Sequence, residues 1–227
     1  MAIMDRKEKV FEVKNISHLK ENLMFLSKSK ENVILLDSNN KKNDYEFIFS
    51  YGKISELKSS DNSLEKLDNY INQVNDWIFG FISYDLKDEI EDLNSKNLKY
   101  FDVPNLSFFQ PSTIWIFDGV ILRALYFDEK ELLEDWSEIN KIHTISDENK
   151  NNLNVELKGR LSKEEYIKKI KNIKNRIKIG ETYELNFCFD FFNDTTKINP
   201  ENTFKKLNKL TESPMSVYYK DKHFHIL

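Results

Sequence analysis

An α+β fold, with strands prevailing in the first 130 residues, is predicted by three features of this 227-residue chain. Short apolar runs end in turn-forming clusters, other stretches alternate apolar and polar residues at period 2, and further segments repeat their apolar residues at the helical period. Hydrophobic residues make up 40% and aromatic residues 13% of the chain, enough to bury a sizeable core and to exclude general disorder.

Taken in order, Val33 to Leu36 is a wholly apolar strand closed by the turn cluster Asp37-Ser38-Asn39-Asn40. Tyr45, Phe47 and Phe49 alternate with Glu46 and Ile48 in a second strand. Leu64, Leu67, Tyr70, Ile71 and Val74 recur at helical spacing and predict a helix over Ser63 to Val74. Trp77 to Leu86 reads as an aromatic, β-branched strand, and Gly80 inside it signals a bulge or a close backbone approach. Thr113 to Asp118 and Val120 to Phe127 form a hairpin pivoting near Asp118-Gly119. Asp128 to Asp147 is an acidic helix, and Glu148 to Lys158 is a polar link, with a boundary near residue 155 dividing the chain into 1–155 and 156–227.

Ser162 and Glu165 stand at capping-box spacing. Tyr166, Ile170, Ile173 and Ile177 then mark one buried helix face, ended by Gly180. Directly afterwards the period changes to 2: Tyr183, Leu185, Phe187, Phe189 and Phe191 give a strand one greasy face. A further helix opens at Asn199-Pro200, with proline at its first position and Phe204 and Leu207 facing inward. Met215 to Tyr219 and His223 to Leu227 close the chain as strand segments.

Charge and composition exclude several classes. With 34 basic and 38 acidic residues the net charge is -4, which offers no electrostatic case for nucleic acid or for an anionic membrane. Lysines such as Lys168, Lys169 and Lys171 read as a solvated helix face. A single cysteine, Cys188, permits no internal disulfide, and Met1 to Val10 lacks an apolar signal core, so a soluble, cytoplasmic protein is expected. Five glycines leave little material for a phosphate loop. His223 and His225 are the one pair with metal-site spacing, and Cys188 reads as a quiet, partly buried thiol. The acidic run Asp85, Asp88, Glu89, Glu91 and Asp92 lacks the spacing and central glycine of a calcium loop.

Three stretches carry a family resemblance. Ser162-Lys163-Glu164-Glu165-Tyr166, followed by Gly180-Glu181-Thr182-Tyr183-Glu184-Leu185-Asn186, resembles the opening of the chorismate-binding domain, "S-x-E-E-Y" running into "G-D/E-x-Y-Q/E-x-N". Gly80-Phe81-Ile82-Ser83-Tyr84-Asp85-Leu86-Lys87 is similar to a strand of the family's N-terminal domain. Phe108-Phe109-Gln110-Pro111, with the strand and Asp118-Gly119 after it, resembles the next segment of bacterial aminodeoxychorismate synthases. The resemblance therefore points to component I of aminodeoxychorismate synthase, and Asn186 and Phe-Phe-Gln-Pro favour it over anthranilate synthase component I.

It implies the N-terminal part of the anthranilate synthase component I-like fold, sheets with helices packed outside, cut within the chorismate-binding domain. Such enzymes bind chorismate and Mg²⁺ in a cleft between sheets, and ammonia from a glutamine amidotransferase partner replaces the 4-hydroxyl. The family's metal-holding glutamates and its "P-I-x-G-T" and "R-N-D" segments lie downstream of residue 227, so no catalytic residue or metal ligand is expected in this chain, which should be inactive alone. Glu184 and Asn186 are the motif residues nearest the cleft, though either could simply occupy a strand's polar face. The resemblance also implies a tryptophan pocket built from Leu35-Leu36-Asp37-Ser38 and Pro214-Met215-Ser216, with further residues near Tyr45 to Phe47. Leu36, Ser38, Pro214, Met215 and Ser216 are its candidates, although Ser38 could merely cap a turn. A non-catalytic amino-acid-binding remnant and an unrelated interaction domain are the alternatives.

Overall fold

The computed structural model describes residues 5–13, 15–41, 44–91, 93, 98–141 and 155–227. The chain parts into two compact units, Met1–Thr144 with Asn199–Leu227, and Ile145–Ile198. The last 29 residues belong to the first unit.

In the first unit the order is β1 (Lys7–Phe11), α1 (Ile16–Leu26), β2 (Val33–Asp37), β3 (Phe47–Tyr51), β4 (Ser55–Ser59), α2 (Ser63–Val74) and β5 (Phe79–Ile82). A 3₁₀ turn (Tyr84–Leu86), α3 (Lys87–Ile90), β6 (Leu106–Gln110), β7 (Thr113–Phe117), β8 (Leu122–Tyr126) and α4 (Glu129–Asn140) follow. The second unit holds β9 (Lys158–Gly159), α5 (Lys163–Lys178) and β10 (Phe191–Phe192). The chain then returns with α6 (Pro200–Thr211), β11 (Ser216–Lys220) and β12 (His225–Ile226).

Seven antiparallel strands form the main sheet, in the order β1-β8-β7-β3-β2-β11-β12, and β4-β6-β5 form a smaller one. On one face of the main sheet, Leu19, Leu23, Leu132, Ile139 and Phe204 of α1, α4 and α6 pack against Phe47, Phe49, Trp115 and Tyr218. On the other, Ile34, Ile48, Ile114, Ile116 and Tyr219 meet Phe79 and Phe109 of the small sheet. Coverage on both faces explains why β3 and β7 are buried throughout and why β2 reads as a continuous apolar run. The α+β class is as expected from the sequence.

The helix over Ser63–Val74 and the 113–126 hairpin form as predicted, with Gly119 at φ 101 in the turn. Asn199 caps α6 by accepting from the Asn202 amide, and Phe204 is buried. Other expectations are corrected. Leu207, expected inside, is 41% exposed; Phe204 is the buried residue of α6. The strand expected over 77–86 is only β5; beyond it Glu89 accepts from the Ser63 amide and hydroxyl at 2.6 Å each, capping α2 and holding α3 helical. The acidic helix is described as far as Asn140, and 142–154 lie outside the described residues. β1, α1 and β4 were not anticipated, because lysine-rich β1 is an edge strand and hides its period among charges.

In the second unit the capping box of Ser162 and Glu165 forms and Gly180 adopts φ 81. The strand expected over 183–191 does not: its one ladder is Phe191 and Phe192 against Gly159 and Lys158. A strand's N–H and C=O groups need a neighbour, and hydrophobic alternation supplies none. Tyr183 is fully exposed, and no residue of α5 is buried, although Tyr166 touches the rings of Phe187 and Phe189. Cys188 is exposed rather than partly buried for the same reason.

Candidate functional site

Two segments far apart in sequence meet where β2 pairs with β11. The register sets Ser216 opposite Asp37 and Val217 opposite Leu36, so its continuation brings Ser38 to Met215, the residue after Pro214, at one end of the sheet. Pro214 precedes the strand, where its missing N–H leaves no gap in the ladder. The turn after β2 and the start of β3 complete a cavity of ≈ 410 Å³, lined by Leu36–Ser38, Asp44–Ile48 and Pro214–Val217. That volume lies in the range of small-molecule sites, about 300–1,000 Å³.

The cavity's charges are acidic and braced from below. Lys20 of α1 reaches Asp37 at 2.9 Å and Glu46 at 3.1 Å, and so holds the two carboxylates in one arrangement. Asp37 also accepts from the Asn39 amide at 2.9 Å and from Asn208 Nδ2 at 3.3 Å. Ser38 donates its amide to the Glu46 carbonyl at 2.9 Å. Its Oγ is buried and has no hydrogen-bond partner among the described residues. An unpaired buried hydroxyl costs about 1–3 kcal/mol, which a ligand's polar group would recover. The Ser216 hydroxyl, by contrast, is occupied: it accepts from Asn39 Nδ2 at 3.1 Å and donates to the Ser213 carbonyl at 3.3 Å.

Of the residues singled out from the sequence, Leu36, Ser38, Pro214, Met215 and Ser216 all line this cavity, with Met215 80% exposed at its rim. Glu184 and Asn186 lie in the second unit, exposed, on backbone outside any ladder. His225 Nδ1 is bonded to the Tyr218 hydroxyl at 3.1 Å, and no group of three or more His, Cys, Asp or Glu side chains among the described residues is placed to hold a metal ion. Lys20, Asp44, Asn39 and Asn208 were missed. The only sequence signal for Asn39 was its membership of a turn cluster; it adopts φ 52, the left-handed region asparagine tolerates.

An α+β protein with a cavity of small-molecule size at a sheet end is the class that fold and site define. A family model described as chorismate binding enzyme matches residues 19–227, and the chain belongs to that family. A family of enzymes acting on chorismate replaces the reading as an unrelated interaction domain. No curated protein matches the chain significantly. Among the described residues no helix is long and apolar enough to cross a membrane.

Proposed function

We propose that the chain is part of component I of an aminodeoxychorismate synthase, which aminates chorismate to 4-amino-4-deoxychorismate with ammonia from a glutamine amidotransferase partner. Asn186 and the Phe108-Phe109-Gln110-Pro111 stretch support this member over anthranilate synthase component I. On this reading the family's metal-holding acids are not among these residues. Accordingly the chain alone should not convert chorismate with ammonia and Mg²⁺, and formation of aminodeoxychorismate or anthranilate above the uncatalysed level would refute that assignment.

Within this chain the reading is of an amino-acid pocket, for which L-tryptophan is the proposed ligand. The observation that carries it is the β2–β11 pairing, which brings both expected segments to one cavity holding a buried hydroxyl with no hydrogen-bond partner among the described residues. The apolar walls Leu36, Ile48 and Val217 suit an aromatic side chain, and Asp37, Asp44 and Glu46 suit an ammonium group. Calorimetry with L-tryptophan tests it. Ser38→Ala should weaken binding by roughly 1.5–3 kcal/mol, the worth of a hydrogen bond to a charged group. A folded wild-type chain that binds no tryptophan would refute the pocket.

A further inference from the structure

The cavity's two walls are joined by more than their ladder. Asn39, in the turn after β2, and Asn208, in the last turn of α6, face each other as reciprocal amides. Asn39 Nδ2 donates to Asn208 Oδ1 at 2.7 Å, and Asn208 Nδ2 donates back to Asn39 Oδ1 at 3.1 Å. The Asn39 amide nitrogen also reaches the Ser213 carbonyl at 2.7 Å and Ser216 Oγ at 3.1 Å, on the segment leading into β11. Asn208 Nδ2 extends to Asp37 Oδ2 at 3.3 Å. One amide pair thus ties together the cavity's β2 wall, its Pro214 wall and a helix that does not line it.

We propose that Asn39 and Asn208 are positioning residues for this cavity and couple its occupancy to the end of α6. The proposal rests on the reading of the cavity as an amino-acid pocket. The physical reason is that Ser213–Met215 precede the first β2–β11 pair, Ser216 with Asp37, so the ladder does not hold them. The amide pair and the bond from Ser216 Oγ to the Ser213 carbonyl tether the start of that segment. Coupling is reciprocal: whatever factor the clasp adds to ligand affinity, the ligand must add to the clasp.

The test uses the whole chain, L-tryptophan calorimetry and amide hydrogen exchange. Asn208→Ala removes one half of the clasp, and Asn39→Gly removes the other while keeping the left-handed backbone. Each should weaken tryptophan binding about tenfold, and the double variant should weaken it no further, because the two residues act as one unit. Tryptophan should slow exchange in the last turn of α6 in the wild type but not in Asn208→Ala. Lys205→Ala, on the same helix as Asn208 and breaking only an exposed pair with Glu21 of α1, should leave affinity unchanged. Effects that add in the double variant, or unchanged affinity in both single variants, would overturn the proposal. If the wild type binds no tryptophan, the pocket reading fails by itself. Ligand-free exchange over Ser213–Val217 then decides the clasp: acceleration in Asn208→Ala supports it, and no change overturns it.

Discussion

Replacing Gly80 by alanine separates steric necessity from backbone entropy. Gly80 lies in β5 opposite Phe108, and its φ is not in the left-handed region. At such positions alanine ordinarily stabilises by about 0.4–1 kcal/mol, because the unfolded chain loses freedom. Here, however, a Cβ would stand 2.0 Å from the Ser107 carbonyl oxygen and 2.7 Å from Phe108 Cα. Both are backbone atoms of the paired strand, so no side chain can turn aside and β5 must shift by roughly an ångström. Overpacking of this kind costs about 1–3 kcal/mol. If β5 peels from its edge, Phe79 also loses its burial between the sheets, a further ~1.5–3 kcal/mol. With that peeling the expected loss is about 2.5–6 kcal/mol, a large share of a total that is typically about 5–15 kcal/mol. At about 2–4 °C per kcal/mol for a chain of this size, the melting temperature should fall by roughly 5–25 °C. Urea and thermal unfolding followed by circular dichroism measure it. An unchanged or raised midpoint would show that the strands do not approach as described.

Gly119→Ala should cost only about 1–2 kcal/mol by the same assay, since its φ of 101 strains an L-residue while the nearest atom is 4.0 Å from the added carbon. Lys220→Met should destabilise by roughly 1.5–3 kcal/mol. The Lys220 ammonium donates to the carbonyls of Ser27, Lys28 and Lys30 just beyond α1, and methionine leaves them unpaired. Stability should decline in acid through Asp221 and Asp76. Burial works to raise both carboxyls, but Lys58 beside Asp221, and Arg6 and Gln110 beside Asp76, outweigh it and hold both below the ordinary value of 3.8. A depressed carboxyl contributes its full stability above the unfolded-state value and loses it as the pH falls through the lower folded value. Asp221→Asn should flatten that part of the unfolding free energy measured against pH, and an equally steep decline in the variant would count against the assignment.

Local chemistry was legible from the sequence wherever it decides structure by itself. The spacing of Leu64 to Val74 set the limits of α2, Ser162 with Glu165 announced a helix start, and Asn199-Pro200 announced another. Gly80 signalled a bulge or a close backbone approach, and the paired strand supplies the close approach. The apolar run Val33–Leu36 likewise required cover on both faces without revealing what supplies it. Partnership belonged to the tertiary structure. Tyr183 to Phe191 alternates as regularly as any strand in the chain, yet all but its end remains outside a ladder, because the period of a strand is local and its hydrogen bonds are not. The cavity shows the same division. Its residue types stand in two short segments of sequence, but only the antiparallel register of β2 with β11 brings Ser38 to the Pro214-Met215 segment. The Asn39–Asn208 clasp, spanning 169 residues, leaves no periodic trace, since a single amide pair fixes distance in space and nothing along the chain.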